Sequence, residues 1–228
     1  HYPNKNMTEA QPEEITFEMM REVLYSAVVS DALDGLGYKN QSPRIQIPPR
    51  TTGDVLVGRC KTTAWEDIDF EDPSPYELEL KAVDECTQDD VLVCAANGSM
   101  HSGIWGELLS TAASNRGCVG AIVDGAVRDI TKMTEMGFNV YARSTCVYDS
   151  LNRQRVIAVD EPVQIDGVTF SAGDIVIADC DGVVVIPREI EDEAIKAAWV
   201  KVHSENVTRD AIKNGMLASE VYEKYGVL

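Results

Sequence analysis

The hydrophobic pattern of the first third of the chain predicts a helix, a strand and a second helix. Between residues 16 and 33, apolar side chains recur every three or four positions, the spacing of a helix that buries one face, and two glycines follow as stop signals. Alternating apolar and polar residues predict a strand over residues 54–65. The segment 74–77, Ser-Pro-Tyr-Glu, is typical of a capping box with proline at the first helical position, so we expect a helix from there to about Cys86.

The middle of the chain has the order strand, helix, strand, helix. The pattern predicts apolar strands over residues 91–95 and 119–124, a glycine-containing loop over 97–103, and helices over 105–115 and 129–136. Two short, continuously apolar strands separated by one helix are typical of adjacent parallel strands that are buried on both faces. This part of the chain is therefore expected to have an α/β fold.

After Val140 the pattern changes to closely spaced strands, and the chain ends in an amphipathic tail. Gly-containing turns are expected at 166–167 and 172–174, strands at 175–178 and 183–186, and helices at 188–214 and 218–225. The chain has no internal repeat and no linker-like segment, so we expect a single domain that carries its own C-terminal helices.

Composition narrows the class of protein. The chain has 228 residues, 44% of them hydrophobic, enough for one compact domain, which we expect over residues 16–228 behind a flexible N-terminal segment, residues 1–15. With 20 Lys+Arg against 38 Asp+Glu, the formal net charge is −18, which disfavours nonspecific binding to nucleic acid or to an anionic membrane. We find no apolar run near the roughly 20 residues that span a bilayer and no secretory signal, which predicts a cytoplasmic protein. The six cysteines are scattered singly, so reduced, mostly buried thiols are expected.

Two loops that follow predicted strands carry the first candidate chemistry. In parallel α/β sheets, ligands bind at the carboxyl ends of the strands, so the loops at 97–106 and 124–129 should face one pocket. The first loop enters a helix at about Gly106, where unpaired backbone N–H groups and the helix dipole suit a carboxylate or a phosphate. It lacks the G-K-[ST] ending of a nucleotide-binding loop, and its alternative interpretation is a glycine-rich turn without a ligand.

The second loop places Arg128 next to Asp129 where a strand becomes a helix. Arginine binds planar carboxylates through two parallel hydrogen bonds, and aspartate is a hard oxygen ligand suited to Mg²⁺ or Mn²⁺. Glu107 begins the helix after the first loop and is expected to point into the same pocket, so the three residues together indicate a site for an organic acid and a divalent metal. The alternative is a helix-capping aspartate beside a surface arginine.

The chain resembles the class II pyruvate aldolases, typified by 4-hydroxy-4-methyl-2-oxoglutarate/4-carboxy-4-hydroxy-2-oxoadipate aldolase, in two stretches. These are G-E-L-L-S-T-A-A-S-N-R-G-C-V-G-A-I-V-D-G-A-V-R-D (Gly106 to Asp129) and G-D-I-V-I-A-D-C-D-G-V-V-V-I-P (Gly173 to Pro187). The same superfamily contains the regulator of ribonuclease E activity A. The resemblance implies an α/β/α sandwich with swivelling-domain (β/β/α) topology, assembled as homotrimers or hexamers with sites at subunit interfaces.

The activity that the resemblance implies is metal-dependent retro-aldol cleavage of a 4-hydroxy-2-oxo acid to pyruvate and a second oxo acid, with oxaloacetate decarboxylation as a side activity. Arg128 would bind the pyruvate portion of the substrate and stabilise the enolate, while Asp129 would hold Mg²⁺ or Mn²⁺. Glu107 would order a water that takes part in proton transfer on the C4 side. Many aldolases of this kind have the shorter aspartate at the position of Glu107.

The resemblance also assigns the groups that receive the substrate carboxylate. The helix start at Gly106 and the backbone amides near Leu108 and Leu109 would bind it, which agrees with the anion site inferred from the helix start. Asp124, in the same segment, would be a structural turn residue.

The sequence also allows other interpretations. A Schiff-base aldolase needs a desolvated lysine, and Lys61 on a predicted strand is the one candidate. The alternative interpretation is that Lys61 faces outward from its strand. His101 lies in the first loop without Cys or carboxylate companions and is expected to be incidental, and Trp105 is expected to anchor the helix entry by packing. A non-enzymatic alternative is a ribonuclease regulator that acts through protein contacts; the namesake regulator lacks an aspartate at the position of Asp129.

Overall fold

The structure, a computed structural model, describes residues 12–228, so the predicted N-terminal segment, residues 1–15, lies mostly outside the described residues. In chain order the elements are α1 (Phe17–Val23), α2 (Ser26–Gly35), β1 (Leu56–Asp67), α3 (Glu77–Asp84), β2 (Asp90–Trp105), α4 (Glu107–Asn115), β3 (Gly120–Val127), α5 (Ile130–Glu135), β4 (Asn139–Thr145), β5 (Gln154–Val159), β6 (Val163–Ile165), β7 (Val168–Phe170), β8 (Ile175–Asp179), β9 (Gly182–Ile186), a 3₁₀ turn (Arg188–Ile190), α6 (Glu191–Lys213) and α7 (Ala218–Tyr225).

The central sheet has seven strands in the order β4-β3-β2-β1-β8-β9, with β5 also paired to β1. Strands β1 to β4 are parallel to one another, whereas β8 and β5 run antiparallel to successive parts of β1. The predicted unit of two parallel strands joined by a helix is thus confirmed as β2, α4 and β3. Because the parallel strands are adjacent, the segments that follow β2, β3 and β4 emerge at one edge of the sheet, which we name the carboxyl edge; the opposite end of these strands is the amino edge.

Helices cover one face of the sheet and a β-hairpin covers the other. Residues of β1 alternate between the two faces of the sheet. On the helical face, α1, α2 and α6 pack near the start of β1, at Val57, and α3 to α5 pack near its end, at Trp65. The opposite face packs against the hairpin β6–β7, whose Ile165, Val168 and Phe170 are fully buried. The α/β class, the β/β/α topology and the C-terminal helices are therefore confirmed. The central sheet is mixed, and a hairpin lies on the face where an α/β/α sandwich would have helices.

The predicted single helix over residues 16–33 is two helices. Leu24 and Tyr25 are extended and separate α1 from α2. The break has a tertiary cause, because the Asp179 carboxylate accepts hydrogen bonds from the amide and the hydroxyl of Ser26, both at 2.7 Å, and so holds the start of the second helix on the sheet. A periodicity that continues through both helices does not reveal a carboxylate supplied from 153 residues away.

The predicted loop over residues 97–103 belongs to strand β2. Ala95, Ser99, Gly103 and Trp105 pair with the four consecutive residues of β3 from Asp124 to Val127, so the intervening β2 residues leave the register and return to it. Trp105 consequently ends the strand, and the helix that was expected to begin there begins at Glu107. Positive φ angles at Asn97 and Gly98 make the turn within this excursion.

The predicted capping box at residues 74–77 is also wrong. Helix α3 begins at Glu77, and Tyr76 before it has a left-handed backbone, φ 62°, without a side-chain cap. The Ser74 amide donates to the Asp72 carboxylate at 2.9 Å, and the Ser74 carbonyl accepts from the Glu77 amide at 3.3 Å, so Ser74 belongs to a turn before the helix and not to a side-chain cap.

Across the described residues, from 12 onward, no helix combines the length and the apolar character needed to cross a bilayer. The cysteines in this part of the chain are all free thiols, and Cys60, Cys86, Cys94 and Cys118 are buried, as expected from their scattered positions.

Candidate functional site

Three chain segments meet at the carboxyl edge of the sheet. Gly106 and Glu107 follow β2, Arg128 and Asp129 follow β3, and a loop that contains Asp149 follows β4. Backbone hydrogen bonds tie the segments together: the Arg128 amide donates to the Trp105 carbonyl at 2.9 Å, and the Gly103 amide donates to the Tyr148 carbonyl at 2.8 Å. The two loops expected to face one pocket are neighbours, and the third loop joins them.

Arg128 lies half-buried at the centre of this cluster, with its side chain 37% exposed. Its Nη2 donates to the Asp149 Oδ1 at 2.9 Å, and its Nη1 donates to the Val147 carbonyl at 3.2 Å. A guanidinium has five N–H donors, so three of them have no acceptor within the described part of the chain. Arg128 is therefore held in place and still able to bind an external carboxylate.

Asp129 has an exposed carboxylate on a left-handed backbone, φ 64° and ψ 36°, a conformation uncommon for residues other than glycine, although aspartate tolerates it better than most. Its Oδ2 accepts the Glu107 amide at 3.1 Å, which fixes the carboxylate beside the start of α4. A Cβ at Gly106 would lie 2.6 Å from the same oxygen. Position 106 must therefore be glycine for the Asp129 carboxylate to occupy this position. The reason is the lack of space for a Cβ, since the extended backbone of Gly106 suits any residue.

The start of α4 offers backbone donors. Gly106 is the N-cap without a side-chain cap, and among residues 12–228 nothing accepts from the amides of Leu108 and Leu109. Leu108 is 79% exposed, so this helix end is open to solvent, whereas Leu109 packs on the core and fixes the helix. Trp105 donates from Nε1 to Ser110 Oγ at 2.8 Å and is buried, so its predicted role as a packing anchor at the helix entry is confirmed.

Glu107 lies on the first turn of α4, at the same edge as Arg128 and Asp129. Its Oε2 is 3.6 Å from the Lys132 Nζ on α5, and the lysine side chain is well exposed. Such an exposed pair contributes little stability and leaves the carboxylate free to exchange partners. The structure thus places all the predicted site residues at one edge of the sheet.

The donor set limits the kind of metal that fits. Residues 12–228 contain no group of three His, Cys, Asp or Glu side chains that would form a metal cage. Mg²⁺ is usually bound by one or two carboxylates and keeps several waters, which leaves positions for substrate oxygens. The exposed Asp129 carboxylate, oriented by one hydrogen bond and with its second oxygen open, suits that mode of binding.

Sequence reasoning missed Asp149 and Tyr76. The Asp149 carboxylate binds Arg128 through Oδ1 and accepts from the Tyr76 hydroxyl at 2.7 Å and the Leu151 amide at 2.9 Å through Oδ2. Burial tends to raise the pKa of Asp149, but these hydrogen bonds and the Arg128 charge outweigh it and lower the pKa. The available signal was positional, because the loop after β4 is the third one at the carboxyl edge.

Glu79, on the buried side of α3, was also missed. It is 6% exposed, and its pKa is shifted by burial and by two other carboxylates, with no hydrogen-bond partner among the described residues. Burial, with the nearby charges of Asp149 and Asp72, raises the pKa of Glu79 to about 7. A carboxyl group that titrates near neutral pH therefore lies close to the site.

Lys61 and Asp124 lie in surroundings that differ from the predicted ones. Lys61 does not face outward: it is 7% exposed and its Nζ binds the Asp160 and Glu85 carboxylates at 2.7 and 2.9 Å. Burial lowers its pKa, but the two carboxylates outweigh burial and raise it, the opposite of what a Schiff-base lysine needs. Asp124 is a buried strand residue paired with Arg143 at 3.2 Å rather than a turn residue, and His101 is exposed.

A cavity of about 690 Å³ lies at the amino edge, away from these residues. Its arginines are already occupied: Arg59 binds Glu191, and Arg21 binds Asp89. Ligands of parallel α/β sheets collect at the carboxyl ends of strands, so we assign the candidate site to the carboxyl edge in spite of this cavity.

The chain is similar to proteins of one family along most of its length. Residues 26–185 match the RraA-like family, described as Aldolase/RraA. A protein of Halalkalibacterium halodurans named "Putative 4-hydroxy-4-methyl-2-oxoglutarate aldolase" is 29% identical over 209 residues, which cover 92% of this chain and 94% of that protein.

Solved structures show the same relationship. An uncharacterized protein from Pseudomonas syringae has a TM-score of 0.76 at 27% identity, covering 88% of this chain and 93% of its own. Streptomyces coelicolor RraAS2, described as an unusual member of the RNase ES inhibitor RraA protein family, has a TM-score of 0.73 at 28% identity, covering 87% of this chain and 99% of its own.

Proposed function

The chain belongs to the RraA-like family, and we propose that it is a lyase of that family that cleaves a 4-hydroxy-2-oxo acid to pyruvate and a second oxo acid. Oxaloacetate decarboxylation is proposed as a side activity because it proceeds through the same pyruvate enolate. The observation that carries the proposal is the joint placement of Arg128, with open N–H donors, and Asp129, with an exposed carboxylate, beside the start of α4, where further backbone amides are open.

The substrate carboxylate is proposed to bind between the start of α4 and Arg128. The amides of Leu108 and Leu109 and the open N–H groups of Arg128 are donors that favour an anion, and the helix dipole has the same sign. When the C3–C4 bond of the substrate breaks, its electron pair moves into the C2–C3 unit and negative charge develops on the keto oxygen. Arg128, already oriented, stabilises that charge without reorganisation.

Glu107 is proposed to serve proton transfer on the C4 side. In aldol cleavage the C4 hydroxyl must lose its proton as the C3–C4 bond breaks, and C3 must gain one to give pyruvate. Glu107, on the first turn of α4, is proposed to orient a water for that transfer. Decarboxylation of oxaloacetate releases carbon dioxide and has no C4 hydroxyl, so it needs only the second of these proton transfers.

Asp129 is proposed to hold Mg²⁺ or Mn²⁺, with waters and substrate oxygens as the other ligands. A divalent cation at this carboxylate would act as a Lewis acid toward the bound 2-oxo acid. The chain's own contribution is to fix the carboxylate, through the Glu107 amide and the space left at Gly106, next to the residues that bind the substrate.

The assembly that we propose is a closed homo-oligomer, a trimer or a dimer of trimers, by resemblance to the family. Sedimentation velocity at micromolar concentration measures this directly, and a monomer under those conditions would contradict it. The partners are then small 2-oxo acids and further copies of the chain.

A second candidate function is favoured by the similarity to the Streptomyces coelicolor protein: a non-catalytic regulator that acts through protein contacts. A single assay separates the two. Pyruvate release is measured from several 4-hydroxy-2-oxo acids and from oxaloacetate, with Mg²⁺, with Mn²⁺ and with excess EDTA.

We expect metal-dependent pyruvate release that EDTA abolishes and added Mg²⁺ restores. Arg128→Ala should lower the activity by about 100- to 1,000-fold, whereas Arg116→Ala, a change of the same kind at the exposed end of α4, should leave it intact. Full activity in EDTA would refute the metal requirement, and the absence of pyruvate release from all substrates would favour the regulator.

A further inference from the structure

Asp149 lies between Arg128 and the fixed parts of the fold. Its Oδ1 accepts from Arg128 Nη2 at 2.9 Å, and its Oδ2 accepts from the Tyr76 hydroxyl at 2.7 Å and from the Leu151 amide at 2.9 Å. One oxygen thus faces the arginine while the other is anchored by two donors. The carboxylate cannot rotate without breaking a bond on one side or the other.

Tyr76 meets Asp149 from a conformation that a bulky residue seldom adopts. Its backbone has φ 62° and ψ 8° immediately before α3, and the residue has no capping bond of its own there. A left-handed non-glycine residue persists only when its surroundings determine it, and such residues cluster at functional positions. The contact that accompanies this conformation is the hydroxyl bond to Asp149.

The charges of this chain of contacts are fixed through the neutral range. The pKa of Asp149 is lowered, so it remains an anion. Burial and the neighbouring Asp149 carboxylate raise the pKa of Tyr76 to about 12, so its hydroxyl remains a donor. Arg128 is a cation throughout, so the charges of the Tyr76–Asp149–Arg128 contacts do not change across the neutral range.

The attachment of Arg128 is single rather than double. Asp149 takes one N–H, the Val147 carbonyl takes another, and the remaining donors stay open. A carboxylate that accepted two parallel hydrogen bonds from the guanidinium would compete with a ligand for the same donors. A carboxylate that accepts a single N–H restricts the orientation of the guanidinium and leaves the other donors accessible.

We propose that Asp149, anchored by Tyr76, is a positioning residue that orients the Arg128 guanidinium to receive the carboxylate of a small 2-oxo acid. The inference rests on the proposed function insofar as it takes such an acid as the ligand of Arg128. Asp149 does not touch the substrate; it acts by removing the rotational freedom that Arg128 would otherwise lose on binding.

The test compares three variants with the wild type. Asp149→Asn removes the charge with little change of shape, and Tyr76→Phe removes only the anchoring hydroxyl. Glu66→Gln is the matched control. Glu66 binds Arg155, an arginine elsewhere on the sheet, at 2.9 Å, and the two side chains of this pair are about as exposed as those of Asp149 and Arg128.

Two quantities are measured: the dissociation constant of oxalate by calorimetry in Mg²⁺ buffer, and kcat and KM for pyruvate release. Oxalate is the probe because it is a planar dianion that resembles pyruvate enolate, and its binding needs no turnover. We expect Asp149→Asn to weaken oxalate binding and to raise KM by about 10-fold, the scale of losing an orienting charged hydrogen bond. Tyr76→Phe should act in the same direction with a smaller change, and Glu66→Gln should match the wild type.

The readout separates positioning from damage to the fold. A partly unfolded variant lowers kcat and the number of binding sites per chain, while the affinity of the remaining sites stays at the wild-type value. Loss of positioning weakens the affinity of every site at unchanged stoichiometry. If Asp149→Asn does not fold, as judged by thermal unfolding, Tyr76→Phe decides the question by the same measurements.

Three results would overturn the inference: unchanged oxalate affinity in both variants, tighter binding in Asp149→Asn, which would make Asp149 a competitor of the ligand, or no oxalate binding by the wild type. Failure of the proposed function gives a different result. A wild type that binds oxalate but releases no pyruvate refutes the lyase, while the affinities of the variants still decide the role of Asp149.

Discussion

Arginine and carboxylate groups are paired differently at the amino edge and at the carboxyl edge of the parallel strands. At the amino edge, Arg59 donates from both Nη atoms to the two oxygens of Glu191, at 3.0 and 2.9 Å, and also to the Gly173 carbonyl. At the carboxyl edge, Arg128 gives its carboxylate partner one bond. Both are arginines paired with acids on one sheet, but the Glu191 carboxylate occupies both Nη atoms of Arg59, whereas Asp149 binds Arg128 through one Nη atom only, and three of the five Arg128 N–H donors stay open within the described residues.

The same difference extends to the buried groups. Lys61, in the interior of β1, has two carboxylate partners, whereas Glu79 has none and the buried Nε2 of Gln154 has no acceptor in the described part of the chain. Unmatched polar groups cost stability, so proteins rarely keep them without a reason. Glu79 and Gln154 both lie toward the carboxyl edge, on the side of the sheet that carries the candidate site.

The largest expected effect is the loss of Arg128. Arg128→Ala should lower kcat/KM for aldol cleavage and for oxaloacetate decarboxylation alike, by about 100- to 1,000-fold, the scale of removing a donor that stabilises developing charge. Arg128→Lys should restore the activity only in part, because lysine lacks the two-pronged contact. Steady-state kinetics on both substrates measure this, and a loss confined to one reaction would contradict the shared role.

Glu107 should separate the two reactions. Glu107→Ala removes the group proposed to serve the C4 proton, so aldol cleavage should fall by about 100-fold or more while oxaloacetate decarboxylation falls much less. Glu107→Asp tests whether a shorter carboxylate suffices. Equal losses in both reactions at unchanged metal affinity would show that Glu107 does not organise that proton transfer.

Glu79 should make stability depend on pH. Its pKa is raised from 4.5 in the unfolded chain to about 7 in the folded protein, so the folded state holds a proton that the unfolded state has lost between these values. The stability contribution of this group is thus fully present below about pH 4.5 and is lost as the pH rises through about 7.

Glu79→Gln abolishes that dependence. Relative to the variant, the wild type should lose free energy of unfolding on the order of 3 kcal/mol between pH 4.5 and pH 8, as measured by urea denaturation at several pH values. Parallel curves for the two proteins would mean that Glu79 is hydrated or paired in solution.

The smallest effect is expected at the amino edge. Arg59→Ala breaks a well-aligned but partly exposed pair and should lower the free energy of unfolding by about 1 kcal/mol. The kinetics should stay within about twofold of the wild type, because Arg59 lies at the end of the sheet opposite Arg128. A large loss of activity in this variant would remove the contrast between the two edges.

What the sequence predicts well is what neighbouring residues determine. The strand β3, the helix α4 and the juxtaposition of Arg128 with Asp129 all follow from apolar runs, stop signals and adjacent positions. The buried state of most cysteines and the packing of Trp105 follow from residue type.

What it does not predict depends on contacts between distant positions. Asp149 meets Tyr76 across 73 residues, and Asp160 meets Lys61 across 99, so no local spacing reveals either pair. The break between α1 and α2 likewise has a tertiary cause, the Asp179 carboxylate, which overrides helix propensity. The left-handed backbone of Tyr76 accompanies its contact with Asp149 and does not follow from capping preference.

The irregular pairing of β2 with β3 allows the chain to change in length there without moving the candidate site. Because β2 returns to β3 at single residues, Ser99, Gly103 and Trp105, the exposed Met100 and His101 between Ser99 and Gly103 are the natural place for insertions. Gly103 is different, since a Cβ there would lie 2.3 Å from the Cys146 carbonyl and 3.2 Å from the Arg128 side chain. A change of length at Met100 and His101 would therefore leave the carboxyl edge in place, a division between a variable segment and a fixed one.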